Sequence, residues 1–158
     1  MLISGQSDTY AATNWTSTNG KFLTGWFWSS NPTDEEIKDA LYGTNSAYTK
    51  WWLSNPCNTG NMTVVRNVTT DFTPVTNKIY VLTTWAISIN ATKAIPSCTA
   101  IVSSVDGGTT IYSNSQFSNQ GMFYTNIWIH WVIIDNISFE WSKTSANGNH
   151  ARNAYCIR

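Results

Sequence analysis

Ile79-Tyr80-Val81-Leu82-Thr83-Thr84-Trp85-Ala86-Ile87-Ser88-Ile89 is the stretch of this chain that is most typical of a β-strand. β-Branched and aromatic residues, which favour a pleated strand, fill most of it. Its first half is apolar on both faces, which indicates a strand that is covered on both sides. We therefore predict one long central strand over residues 79–89.

Strand patterns continue on both sides of this stretch. Asp106-Gly107-Gly108 is a strong turn signal between two of them, and it predicts a hairpin. Many short strands separated by turn residues are typical of two packed sheets. We therefore predict an all-β fold, a two-sheet antiparallel sandwich of the jelly-roll type, in a single domain over residues 1–158. The other predicted strands and extended segments are Asp8–Thr18, Lys21–Ser29, Tyr48–Leu53, Met62–Thr70, Thr99–Val105, Thr109–Tyr112, Tyr124–Ile134 and Ile137–Trp141.

One segment carries the signals of a helix instead. Asn31 or Thr33 can cap it, acidic residues fill its first turn, where the helix dipole favours them, and Gly43 can end it. We predict one short helix near residues 33–42. Its acidic residues are better explained by this solvated first turn than by a catalytic pair.

The composition excludes several classes of function. Charged residues make up only 11% of the chain and the formal net charge is zero, where a quarter charged is usual. The three arginines are scattered, so the basic cluster that nucleic acid requires is absent. No apolar run approaches the roughly 18 residues of a membrane span. A surface rich in Ser, Thr and Asn predicts a virion or extracellular location, and the lack of signal-peptide features at the N-terminus favours a virus particle released by lysis.

The reactive residue types form no convincing catalytic or metal site. Cys57, Cys98 and Cys156 are an odd number, so one disulfide with a free thiol and three free thiols both stay open. The acids outside the helix do not pair across a predicted cleft, as hydrolysis by two carboxylates requires. We therefore predict no enzyme activity, no metal and no cofactor.

Three segments, in this order, resemble the galactose-binding-like jelly rolls found as carbohydrate-binding modules and in phage tail fibres. They are Asn77–Ala86, with its Tyr and Trp-Ala, Val105–Thr110, and Ile134–Phe139 as the closing strand. The resemblance covers roughly residues 72–141. It implies a jelly roll that binds carbohydrate. In such modules an acid near the closing strand helps to hold calcium, but Asp135 alone does not make a site.

Glycan binding is the function that the residue types favour. Sugar rings stack their C–H faces on aromatic side chains, and amide and hydroxyl groups bind the sugar hydroxyls. Trp28, Trp52 and Trp141 each lie near the end of a predicted element, so they are the candidate stacking residues. Trp85 and Trp131 have apolar neighbours and are expected in the core.

We thus expect a non-enzymatic surface domain of the phage tail-fibre or decoration type, which attaches to or is displayed on a surface. Its expected partners are a glycan or cell-surface polysaccharide and other virion or fibre subunits, with assembly as a homo-oligomer. Two alternatives remain. One is a purely structural protein of a virus particle or filament, in which the aromatic residues form subunit contacts. The second is a glycan-active enzyme.

Overall fold

The computed structural model describes residues 2–4, 23–44, 46–49, 52–113, 122–125, 128 and 131–141, with residues 2–4 and 141 described by their backbone. Within these residues, the helices are α1 (Gly25–Ser29) and α2 (Asp34–Tyr42), and a 3-10 turn spans Thr59–Asn61. The strands are β1 (Leu2–Ser4), β2 (Thr63–Val68), β3 (Lys78–Leu82), β4 (Ala86–Ile89), β5 (Lys93–Ala94), β6 (Thr99–Ser103), β7 (Thr109–Ser113), β8 (Phe123–Tyr124), β9 (Ile133–Asp135) and β10 (Ile137–Trp141).

The described strands form three sheets in which every pairing is parallel. Sheet I has the order β1-β9-β6-β3-β2, sheet II the order β10-β7-β4 and sheet III the order β5-β8. The chain therefore enters sheets I, II and III in turn through β3, β4 and β5, and it repeats this path through β6, β7 and β8. A third coil begins with β9 and β10. Such stacked coils are the arrangement of a parallel β-helix.

The prediction of an all-β antiparallel jelly-roll sandwich is wrong, because the sheets are purely parallel and helices accompany them in an α/β-like arrangement. The long strand predicted over residues 79–89 is divided at a corner. Its first half is β3 in sheet I and its second half is β4 in sheet II. Side chains alternate in the same way in parallel and antiparallel strands, so the alternation could not reveal the difference.

The predicted hairpin at Asp106-Gly107-Gly108 is also a corner, since β6 and β7 lie in sheets I and II. Gly107 and Gly108 have φ angles of 79° and 88°, which suit glycine. A Cβ atom on Gly108 would lie 2.7 Å from the backbone oxygen of Asn136 in the next coil. The two glycines therefore allow close stacking of successive corners.

A second set of corners precedes the strands of sheet I. Asn77, Cys98 and Trp131 occupy equivalent positions ahead of β3, β6 and β9 according to the strand register. All three have a left-handed backbone conformation, with φ angles of 58°, 55° and 61°. The same backbone turn thus recurs in each coil, which keeps the coils in register.

Strands β3, β6 and β9 of sheet I are buried on both faces, so they separate two cores. The inner core fills the β-helix, and the outer core lies between sheet I and the helices. Neighbouring residues of one strand alternate between them. The inner core includes Tyr80, Leu82, Ile101, Ile111, Phe123 and Ile134. The outer core includes Phe27, Ile37, Leu41, Ile79, Val81, Ala100 and Val102.

The helix predicted near residues 33–42 is confirmed as α2, which begins at Asp34 and ends at Tyr42. Thr33 and Glu36 form a capping box, in which each side chain accepts from the other residue's backbone N–H. The strand predicted over Lys21–Ser29 is wrong, because residues 25–29 form α1, and the Thr24 hydroxyl caps it by accepting from the Phe27 N–H. The strand predicted over Tyr48–Leu53 is also wrong, since its described residues form a turn and irregular backbone. The segment predicted over Asp8–Thr18 lies outside the described residues. Neither helix of the described chain is long and apolar enough to cross a membrane.

Candidate functional site

The three predicted stacking tryptophans are not brought together. Trp28 lies on α1 and Trp52 lies in the segment after α2, and both are half-buried against the outer core. Trp28 and Trp52 each line a different cleft. The side chain of Trp141, on β10, lies outside the described residues. The structure therefore offers two aromatic clefts to compare.

The Trp28 cleft, of about 390 Å³, lies between α1 and the carboxyl ends of strands β2, β3 and β6. Loops at the carboxyl ends of parallel strands are where ligands commonly bind in α/β proteins. The cleft holds one aromatic ring among amide, hydroxyl, guanidinium and carboxylate groups. Its walls include Trp28, Asn31, Arg66, Asn67, Thr83, Ser104 and Asp106.

Several polar groups of the Trp28 cleft are free to bind a ligand. The side chains of Asn31, Asn67, Thr83 and Asp106 are exposed to solvent and make no hydrogen bond within the described part of the chain. Asn31 and Asn67 have φ angles of 54° and 57°, a conformation that asparagine tolerates better than most residues. The cleft therefore combines a stacking surface with unused donors and acceptors.

Arg66 is the cationic group of the Trp28 cleft, and it is already paired. Its Nε donates to Oδ1 of Asp34 at 2.6 Å, and its Nη2 donates to the backbone oxygen of Pro32, also at 2.6 Å. These bonds tie the start of α2 to the end of β2. They also neutralise the guanidinium charge, because Asp34 carries the opposite charge at contact distance.

The Trp52 cleft is larger, about 640 Å³, and lies where α2 ends and the chain approaches β2. It is therefore near the amino-terminal end of sheet I, opposite the Trp28 cleft. The Trp52 ring is tilted against Tyr42, with 6.2 Å between the ring centroids. The other residues around it include Asp39, Thr44, Thr49, Asn55, Cys57 and Asn58.

Many polar groups of the Trp52 cleft are already used within the fold. Asn55 donates through Nδ2 to the backbone oxygen of Tyr42 at 3.0 Å and accepts from the Cys57 N–H at 3.1 Å. Asn58 accepts from the Gly60 N–H at 2.8 Å. The Tyr42 hydroxyl donates to the backbone oxygen of Trp131 at 2.9 Å. These bonds hold the loops together and engage the asparagines and the tyrosine of this cleft, whereas Asp39 and Thr44 make no side-chain hydrogen bond within the described residues.

Trp85 was expected in the core, and this expectation is wrong, since 67% of the residue is exposed. It stands in the corner between β3 and β4, which turns its side chain away from both cores. A Cβ atom on Gly107 would lie 3.6 Å from Cζ3 of Trp85, so the ring lies over the corner that also holds Asp106. Trp131, the other tryptophan expected in the core, is half-buried and packs against the outer core.

The buried acid near the predicted closing strand, Asp135, has a structural role. Asp135 is buried, and its Oδ2 accepts from the Tyr48 hydroxyl at 2.5 Å. Burial and the Asp135 carboxylate raise the pKa of Tyr48. Burial also raises the pKa of Tyr42 above its ordinary value. No group of three metal-ligating side chains occurs among the described residues, and Asp135 is held by Tyr48 rather than standing in an open site.

A disulfide joins Cys57 to Cys98, which answers one of the questions that the sequence left open. Cys57 lies in the wall of the Trp52 cleft, and Cys98 is in the left-handed corner ahead of β6. The bond therefore fastens the helical layer to the β-helix. Cys156 lies outside the described residues.

Trp85 is the residue near a cleft that the sequence reasoning missed. The signal that could have found it is the pair Thr83-Thr84 before it, since polar residues interrupt the apolar run at the point where the chain turns.

Comparisons with protein-family models, with curated proteins and with solved structures found no match to this chain.

Proposed function

We propose that this chain is a non-enzymatic glycan-binding domain of a virion or extracellular surface, and that the Trp28 cleft is its binding site. One observation carries the proposal: a half-buried tryptophan stands beside four exposed polar side chains with no hydrogen bond within the described chain. An aromatic ring that stacks on a sugar, surrounded by amide, hydroxyl and carboxylate groups, is the combination that carbohydrate recognition uses.

The Trp52 cleft is the weaker candidate, although it is larger and also holds a tryptophan. Its asparagines and its tyrosine bind backbone groups of the surrounding loops. A ligand that took those groups would break bonds within the fold, and a buried group left without a partner costs free energy. We assign the Trp52 cleft a structural role.

The Cys57–Cys98 disulfide supports the proposed location. Disulfides persist in oxidising surroundings, such as the cell exterior or a virion surface, and are rare in reducing ones. The uncharged, hydroxyl-rich composition supports the same location.

The test is a glycan-array screen followed by titration of the best ligand against tryptophan fluorescence. Trp28→Ala is expected to weaken binding at least about tenfold, which corresponds to about 1.4 kcal/mol. Trp52→Ala is the matched control, since Trp52 is also half-buried against the outer core, and it should bind like the wild type. Because Trp28→Ala removes packing against Phe27, Thr83→Val provides a second variant that changes only an exposed hydroxyl.

Two results would contradict the proposal. Loss of glycan binding in Trp52→Ala but not in Trp28→Ala or Thr83→Val would move the site to the other cleft. If the wild-type protein bound no glycan at all, the proposed glycan-binding function would be wrong.

A structural role in an assembly is the second candidate, and a specific observation favours it. Leu53 is fully exposed and Trp128 is 79% exposed, and large exposed apolar side chains commonly serve subunit contacts. Trp131 donates through Nε1 to the backbone oxygen of Ser54, so these residues belong to the same end of the molecule. An oligomer in light scattering that dissociates in Leu53→Asp, with no glycan bound, would favour this function.

A further inference from the structure

Five of the polar side chains of the Trp28 cleft come from three adjacent strands of sheet I or directly follow them. Arg66 and Asn67 are in the last part of β2, Thr83 follows β3, and Ser104 and Asp106 follow β6. Neighbouring strands lie about 4.8 Å apart, so these groups recur along a line of roughly 10 Å that runs along the axis of the β-helix. A line of this length is better matched by a chain of sugars than by a single ring.

Trp85 lies beside this line, at the corner that follows β3 and outside the cleft. Asp106 is in the wall of the cleft, and the Trp85 ring lies over Gly107, the next residue. The backbone oxygen of Trp85 accepts from the Thr110 N–H at 2.8 Å, which fixes the corner on which the ring stands. An exposed ring on a fixed corner is a second stacking surface, because little conformational entropy is lost when a ligand covers it.

The charges around the cleft favour a neutral ligand. The Arg66 guanidinium is paired with the Asp34 carboxylate, and the Asp106 carboxylate is an exposed group of the wall. The three groups together carry a net negative charge. An anionic sugar would meet the unpaired carboxylate and would gain little from an arginine that is already neutralised.

We propose that the Trp28 cleft binds a neutral oligosaccharide that lies across β2, β3 and β6, with one sugar on Trp28 and a later sugar on Trp85. This inference rests on the proposed glycan-binding function and adds the charge, the length and the direction of the ligand. The contact with Trp85 is made only by a ligand that is long enough to pass Asp106.

The experiment measures affinity against ligand length and charge. The probes are neutral oligomers of glucose, galactose and N-acetylglucosamine of one to five units, and galacturonic-acid oligomers of the same lengths. For the neutral series that binds, affinity should rise at least about tenfold between one and three units and then level off. The galacturonic-acid series should bind more weakly at every length.

Trp85→Ala should remove most of the gain with length while leaving the affinity for a single sugar unchanged. The matched control is Trp128→Ala, which removes another exposed tryptophan. Trp128 is three residues from Trp131, whose backbone turn precedes β9, so it lies at the amino-terminal end of sheet I, away from the cleft. This control should keep the full gain with length.

The possible failures are distinguishable. Binding that depends on Trp28 but not on length or on Trp85 would overturn this inference and leave the proposed function standing. Tighter binding of the galacturonic-acid oligomers would overturn the assignment of a neutral ligand. Binding of none of the probes, neutral or acidic, would contradict both proposals.

Discussion

The two clefts at opposite ends of sheet I hold similar aromatic residues but differ in what their asparagines do. In the Trp52 cleft, Asn55 and Asn58 bind backbone groups of the surrounding loops. In the Trp28 cleft, Asn67 and Thr83 are exposed and make no side-chain hydrogen bond within the described residues. A tryptophan in a cleft is therefore weak support for a binding site until the polar groups beside it are accounted for.

The same difference appears in how each cleft is built. The Trp52 cleft is formed by loops. The Cys57–Cys98 disulfide and the hydrogen bonds of its asparagines hold these loops in place. The Trp28 cleft stands on three paired strands, whose ladders already fix the backbone. We expect substitutions in the Trp52 cleft to change stability and substitutions in the Trp28 cleft to change binding.

The largest expected effect is loss of the disulfide at the Trp52 cleft. The bond closes a separation of 41 residues, and removal of a native disulfide commonly costs about 2–5 kcal/mol. The variant with both Cys57→Ser and Cys98→Ser should unfold at lower denaturant concentration than the wild type. In conditions where it stays folded, its glycan affinity should be unchanged, and a parallel loss of affinity would show that the two ends are not independent.

A matched pair of substitutions tests the comparison directly. Asn55→Ala removes two hydrogen bonds within the fold and should lower the free energy of unfolding by about 1–2 kcal/mol. Thr83→Val removes an exposed hydroxyl with no partner in the described chain, and should change stability by less than about 0.5 kcal/mol. Denaturant unfolding of both variants measures the change in the free energy of unfolding. The comparison fails if Thr83→Val is the more destabilising of the two.

The smallest effect is a dependence on alkaline pH at the Trp52 cleft. Burial raises the pKa of Tyr42 above the ordinary value of 10.0. Above about pH 10 the unfolded chain loses this proton while the folded chain keeps it, so stability should fall as pH rises. At neutral pH, Tyr42→Phe should cost about 1 kcal/mol, because it loses the bond to the Trp131 backbone.

Melting temperatures between pH 8 and about pH 11 check the Tyr42 prediction. The fall in stability with pH should be shallower in Tyr42→Phe than in the wild type. It should not vanish, because burial and Asp135 also raise the pKa of Tyr48. Equal slopes in the two proteins would show that Tyr42 does not titrate differently in the folded state.

Part of the candidate site was predictable from the sequence. Trp28 and Trp52 were identified as stacking candidates, and each of them lines a cleft. The choice between them was not predictable, because it depends on which groups the fold brings beside the polar side chains, such as the Tyr42 backbone oxygen that Asn55 binds. The exposure of Trp85 was also missed, because the apolar residues on both sides outweighed the Thr83-Thr84 pair that interrupts the run where the chain turns.

The fold was predictable only at the level of local structure. Thr33, the acidic first turn and Gly43 determined α2, because capping and dipole interactions act within one helical turn. The apolar runs of β3 and β6 correctly indicated strands. The predicted single strand over residues 79–89 was wrong because a corner within it separates two sheets, and nothing in the alternation marks the change.

The sequence by itself determined where α2 lies, that the apolar runs of β3 and β6 extend as strands, and that the composition is polar with few charges. These properties follow from side chains acting on their own backbone and on nearby residues. Only the tertiary structure decided that the strands are parallel, that β3, β6 and β9 are covered on both faces, and that the asparagines beside Trp52, unlike those beside Trp28, bond within the described fold. Those outcomes depend on which distant segments pair, and the same alternation of side chains allows either parallel or antiparallel pairing.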